Sequence, residues 1–114
     1  MTTPRPRRKR SVPSPERGPV ASTGFLVHTA GGRKRRITVQ IGRPYAIGDE
    51  EAACPVAIVG LVGKLPDIRG ADTVQALALA LRLVRSLLST LVENGGRVTL
   101  TDGTDVDLTA HFGA

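Results

Sequence analysis

The sequence predicts an α+β domain in which an antiparallel sheet lies against one long amphipathic helix, in the order β-β-β-α-β-β. Three observations predict it. Residues 36–42 alternate, with Ile37, Val39 and Ile41 on one side and Arg36, Thr38 and Gln40 on the other, which is the period of a half-buried strand. Residues 73–93 contain neither Gly nor Pro and follow Asp72, a favourable helix N-cap. Asp102-Gly103 sits between two alternating segments, 97–101 and 104–109, and is a favoured two-residue hairpin turn.

Ahead of these elements, residues 1–22 hold Arg5, Arg7, Arg8, Lys9, Arg10 and Arg17 against one acid, Glu16, and carry five of the eight prolines. Their apolar content is Met1, Val12, Val20 and Ala21, too little to offset the entropy of ordering. The expectation is a disordered basic tail over 1–22 and a single domain over 23–114. Beyond residue 22, ten bases face nine acids, so the charge excess belongs to the tail. Arg7, Arg8, Lys9 and Arg10 suit salt-sensitive contact with phosphates or an anionic membrane surface. Without interleaved aromatics the same run also reads as a solvated leader. The tail lacks the apolar stretch of a secretory signal, which makes the cytoplasm the expected compartment.

The domain has three aromatic residues, Phe25, Tyr45 and Phe112, so its core must be built from Leu, Val, Ile and Ala. A chain of 114 residues buries about 60–65% of its unfolded surface, enough for one core. The single Cys54 excludes an intramolecular disulfide.

Residues 24–29 are β-prone, with Phe25 and Val27 on one face, and connect through Ala30-Gly31-Gly32 to the 36–42 strand as a hairpin. The turn carries Arg33, Lys34, Arg35 and Arg36, and the acidic run Asp49-Glu50-Glu51 in a loop over 43–52 is expected to neutralise them. Residues 54–63 are apolar on both faces and read as a strand covered on both sides, with Gly60 marking a bulge or a close backbone approach. Residues 64–71 read as a turn-rich connection.

In the helix, Val74, Leu77, Leu81, Val84, Leu88 and Leu91 form one stripe, flanked by a second of Ala76, Leu79, Ala80, Leu83 and Leu87. Arg82 and Arg85 break the apolar run, which argues against a membrane span. Asn94-Gly95-Gly96 closes the helix. The final hairpin sets Val98 and Leu100 opposite Val106 and Leu108, with Asp105 and Asp107 on a solvent-facing edge.

Ile41-Gly42-Arg43-Pro44, then Cys54-Pro55 with Ile58 and Gly60-Leu61, then Asp72 with Gln75-Ala76-Leu77 resemble a family of small uncharacterised bacterial domains of unknown function. The resemblance covers residues 24–92 and implies a fold of hairpin, cysteine-bearing strand and helix. It implies no activity, cofactor or catalytic residue. Where an aromatic is expected before the cysteine, this chain has Ala53.

No catalytic, cofactor or metal signature emerges. Cys54 with His28 or His111 has the composition of a nucleophile–base pair, but a lone Cys opening an apolar strand reads as a small core residue. Asp102, Asp105 and Asp107 resemble the start of a calcium loop, but no Glu follows at the required distance. Gln75, in the first helical turn, reads as part of the cap. The expectation is a non-enzymatic binding or protein-interaction module that forms a homo-oligomer through Leu79, Leu83 and Leu87. The alternative is a nucleic-acid-associated protein using the tail and Arg33, Lys34, Arg35 and Arg36 for phosphate contacts.

Overall fold

The computed structural model describes residues 18–113. The alternating pattern forms a hairpin in which β1 (Ala21–His28) pairs antiparallel with β2 (Lys34–Ile41), Ala21 opposite Ile41 and His28 opposite Lys34. Phe25, Val27, Ile37, Val39 and Ile41 are buried on one face, as their alternation requires. β1 begins two residues before Thr23, and the Val20 N–H already donates to the Ile41 carbonyl at 2.8 Å. The expectation of a disordered tail therefore does not extend to Ala21 and Ser22, and residues 1–17 lie outside the described residues.

Residues 43–52 are not a loop. They hold β3 (Tyr45–Gly48) and the start of β4 (Glu51–Cys54), turning at Asp49-Glu50. Ala52 and Ala53 have weak strand propensity, but burial of both in this ribbon overrides it. Then follow β5 (Val56–Val59), β6 (Gly63–Lys64) and β7 (Ile68–Gly70), so the 64–71 connection contributes two short strands. The Gly60 backbone approaches β2 closely, as expected: a Cβ there would lie 2.5 Å from the Arg36 carbonyl oxygen.

α1 (Thr73–Glu93) is the predicted helix, with the Asp72 carboxylate accepting from the Gln75 N–H at 2.8 Å. β8 (Arg97–Thr99) returns alongside β1, Val98 opposite Val27. The strands form a five-stranded sheet ordered β6-β5-β2-β1-β8 and a three-stranded sheet ordered β3-β4-β7. Both are antiparallel. The ribbon passes from one sheet to the other where Gly42-Arg43-Pro44 faces Pro55, because a proline cannot donate to a ladder.

α1 packs across both sheets along Ala76, Ala80, Val84 and Leu88, all with no exposed surface. This line takes two residues from each expected stripe. Ala76 and Ala80 let the helix approach closely, and a Cβ on Gly70 would meet the Ala76 N at 2.6 Å. Val74, placed in the inward seam by its spacing, is 74% exposed. By length and composition α1 is apolar enough to cross a membrane despite Arg82 and Arg85, but here its buried line is used against the sheets.

The final hairpin is cut short. Its second arm is reduced to one bridge, Thr99 with Asp105, and α2 (Leu108–Phe112) replaces the expected strand. Asp107 is the reason: its carboxylate accepts from the Ala110 N–H at 3.1 Å and caps the short helix. α2 lays His111 and Phe112 against Phe25, with ring centroids 5.0 and 6.1 Å away. The observed order is thus seven strands, a helix, a strand and a short helix.

Candidate interaction surfaces

Leu79, Leu83 and Leu87 recur every fourth residue on α1, so they share one flank of the helix. All three are half-buried. Leu87 packs against the core, whereas Leu79 and Leu83 stand outside the core cluster. Toward the C-terminal end of α1, Leu87, Thr90 and Leu91 line a shallow open groove of about 370 Å³ together with Thr29, Leu61 and Val62. Val62 is 49% exposed. The structure thus joins the predicted Leu87 to Leu61 and Val62, which sequence reasoning left inside a strand. The signal was present in Gly60, whose positive φ (94°) follows the end of β5 and leaves Val62 exposed while Leu61 stays packed against the core.

The second surface is the outer face of the five-stranded sheet, opposite Phe25, Ile37 and Val39. Here Lys34, His28 and Arg97 stand abreast on β2, β1 and β8, and Arg36, Leu26 and Thr99 form the next row. The four-residue basic cluster is therefore not confined to a turn, since β2 starts at Lys34. Strand alternation sends Lys34 and Arg36 to the outer face and Arg35 to the other, where its Nη1 donates to the Gly60 carbonyl at 3.2 Å.

The expected neutralisation by Asp49, Glu50 and Glu51 is not found. Those acids sit at the tip of the β3–β4 hairpin, and Glu51 pairs with Arg69 instead. Among the described residues the ion pairs are Lys64–Asp67, Arg69–Glu51 and Arg97–Asp105, so none involves Arg33, Lys34, Arg35 or Arg36. The His28 Nε2 lies 3.0 Å from the Thr99 hydroxyl. Arg7, Arg8, Lys9 and Arg10 lie outside the described residues.

A third cluster was invisible in sequence because Tyr45 lies far along the chain from Lys64 and Asp67. From β3 of the small sheet, the Tyr45 hydroxyl donates to Asp67 Oδ2 at 2.6 Å, and Lys64 Nζ of β6 lies 3.4 Å from the other carboxylate oxygen. Donation to Asp67, with burial second, pushes the phenol up to about 12. A phenol held protonated in this way is no base at neutral pH, so the cluster fastens β3 to the segment before β7.

Cys54 is fully buried, with its Sγ 3.7 Å from the Gly42 carbonyl oxygen, and burial pushes the thiol up to about 11. Neither histidine hydrogen-bonds to it. The His111 Nε2 lies 3.3 Å from the Thr23 hydroxyl, and His28 meets Thr99. Gln75 serves the cap, its Oε1 accepting from the Ala71 N–H at 2.6 Å. Asp102 accepts from the Thr104 N–H at 2.9 Å, and that bond holds its carboxyl below the usual range. Among the described residues no three His, Cys, Asp or Glu side chains are grouped to hold a metal ion.

Residues 25–109 match the model of a family described as Domain of unknown function (DUF6968), and the chain belongs to that family. The match runs through β8 to the start of α2, past residue 92 where the sequence resemblance stops. No curated protein and no solved structure matches the chain.

Proposed function

We propose that this DUF6968 domain is a non-enzymatic interaction module that pairs with a second copy of itself through the flank of α1. The observation that carries the reading is the width of the helix's apolar arc. Beyond the buried line of Ala76, Ala80, Val84 and Leu88, it continues over Leu79 and Leu83 to Leu87 and the groove beside Leu61 and Val62. A helix covered on one side needs a stripe only a little over about 100° wide. Completing the burial of a half-buried leucine contributes roughly 1 kcal/mol before association costs. A two-fold arrangement counts each side chain twice and is the commonest closed solution.

A non-enzymatic role is supported by the chemistry of the nucleophile and base candidates. Cys54 is buried with its thiol held protonated, and each histidine is engaged by a threonine on a different part of the sheet. A lone reduced thiol suits the cytoplasm, the compartment proposed.

Sedimentation of the full chain over a range of concentrations tests the pairing. A concentration-dependent dimer is expected, and Leu79→Glu with Leu83→Glu should give a folded monomer. A wild-type monomer at every concentration overturns the reading. Unfolding of the double variant also overturns it, because those leucines would then belong to the monomer's own core.

Association with nucleic acid is a second proposal. It is favoured by one observation, the absence of any carboxylate pairing with Arg33, Lys34, Arg35 or Arg36 among the described residues.

A further inference from the structure

We infer that the outer face of the five-stranded sheet binds the phosphodiester backbone of single-stranded nucleic acid across Lys34, Arg36 and Arg97. The inference rests on the second reading above and moves its site from the turn and tail to a sheet face.

Its first support is an arrangement that is unfavourable in the free protein. Lys34 and Arg97 stand on either side of His28 across three neighbouring strands, and Arg36 is two residues along from Lys34. Cations gathered on one face without counter-charges repel one another. Such a breach of local preference, where nothing nearby compensates, is expected at functional positions. Only Arg97 has an acid on this face, with its Nη2 3.0 Å from Asp105 Oδ1. The cations of β2 have none among the described residues. A polyanion supplies the missing counter-charge.

Spacing is the second support. Alternate residues of a strand lie about 6.7 Å apart and neighbouring strands about 4.8 Å apart. Lys34, Arg36 and Arg97 therefore form a shallow grid of cations, with Thr38 and Gln40 continuing along β2 as neutral polar groups. Gln40 is half-buried with its Oε1 out of contact with solvent, so the accessible part of this row ends before it.

The shape of the surface selects the ligand. A duplex groove admits a helix or a two-stranded ribbon, whereas the cations here project from a sheet face at the exposed ends of β2 and β8. An extended single strand can lie along it. Membrane docking would call for large apolar or aromatic side chains rimming the cations, and the nearest apolar neighbour, Leu26, is itself half-buried. With no Phe, Tyr or Trp on β1, β2 or β8 other than the inward Phe25, and the one ring on this face, His28, half-buried and hydrogen-bonded to Thr99, stacking contributes little. Binding should therefore be salt-sensitive and indifferent to sequence.

Fluorescence anisotropy of a labelled oligothymidylate against the full chain, between about 50 and about 200 mM salt, tests the inference. Lys34→Gln with Arg36→Gln should weaken binding about tenfold at the lower salt. It should also reduce the slope of log affinity against log salt by about 1.4, the release expected for two single-strand contacts. Arg82→Gln with Arg85→Gln, an equal charge change on α1, should leave affinity unchanged. Circular dichroism melts of both variants should stay close to the parent, since Lys34, Arg36 and Arg82 are exposed and Arg85 is only half-buried.

Absence of binding by the full chain overturns both the nucleic-acid reading and this site. Binding that survives Lys34→Gln with Arg36→Gln but is lost when Arg7, Arg8, Lys9 and Arg10 are changed to Gln overturns the site alone. Equal losses in the α1 variant, or binding only to vesicles of anionic lipid, overturn it as well.

Discussion

The Gly42 N–H donates to the Pro55 carbonyl at 2.9 Å across the joint between the two sheets, and a Cβ on Gly42 would lie 2.9 Å from the Pro55 Cβ. This single contact allows one ribbon to serve both sheets, and α1 then packs over the bend. Gly42→Ala should therefore destabilise the fold by about 1–3 kcal/mol through overpacking against a rigid ring. Gly48→Ala, where a Cβ meets nothing within 4 Å, should cost little. Urea denaturation of the two variants checks the difference, and equal midpoints would count against the joint.

The alkaline limb of stability should carry the signature of Cys54. Its thiol is raised from 9.0 to about 11 by burial, so the folded state favours the neutral form. A group raised on folding contributes stability that is fully present below its unfolded pKa and is lost as pH climbs to the folded value. Stability should accordingly fall between about pH 9 and pH 11, at roughly 1.4 kcal/mol per pH unit. Cys54→Ala should flatten the curve in that window while lowering it at neutral pH through the cavity it leaves. Tyr45, raised from 10.0 to about 12, would still weaken the fold at the upper end. Chemical denaturation at a series of pH values separates the two contributions.

What could be read from residues alone was whatever local periodicity decides. The 24–42 hairpin was legible because Ile37, Val39 and Ile41 alternate with polar neighbours. The helix was legible because Asp72 and Gln75 punctuate a run without Gly or Pro. The β3–β4 hairpin was missed because Ala52 and Ala53 carry no strand signal of their own, and only their burial makes them a strand. The inward line of α1 was misread because apolar spacing does not distinguish a large residue that faces the sheet from an alanine that lets the sheet come closer. Of the candidate surfaces, the shared flank of Leu79, Leu83 and Leu87 was legible by its spacing. The row Lys34, His28 and Arg97 was not, since it depends on strand register across residues far apart in sequence.

The replacement of the last strand by α2 is the correction most open to direct attack. A helix of five residues has no stability of its own. It must be held by the Asp107 cap and by the seating of Phe112 against Phe25. Asp107→Ala should cost about 0.5–2 kcal/mol, the range for loss of an N-cap. Asp107→Asn, which keeps a side-chain oxygen for the Ala110 N–H, should recover most of that loss. Phe112→Ala should release the segment altogether, raising hydrogen exchange at 108–113 while exchange in β1 and β2 stays slow, because their ladder does not depend on α2. If residues 104–109 instead form the second arm of a hairpin, Asp107→Ala would leave stability unchanged. Slow exchange would then appear at alternating amides of 104–109 rather than at the bonded amides of His111 and Gly113.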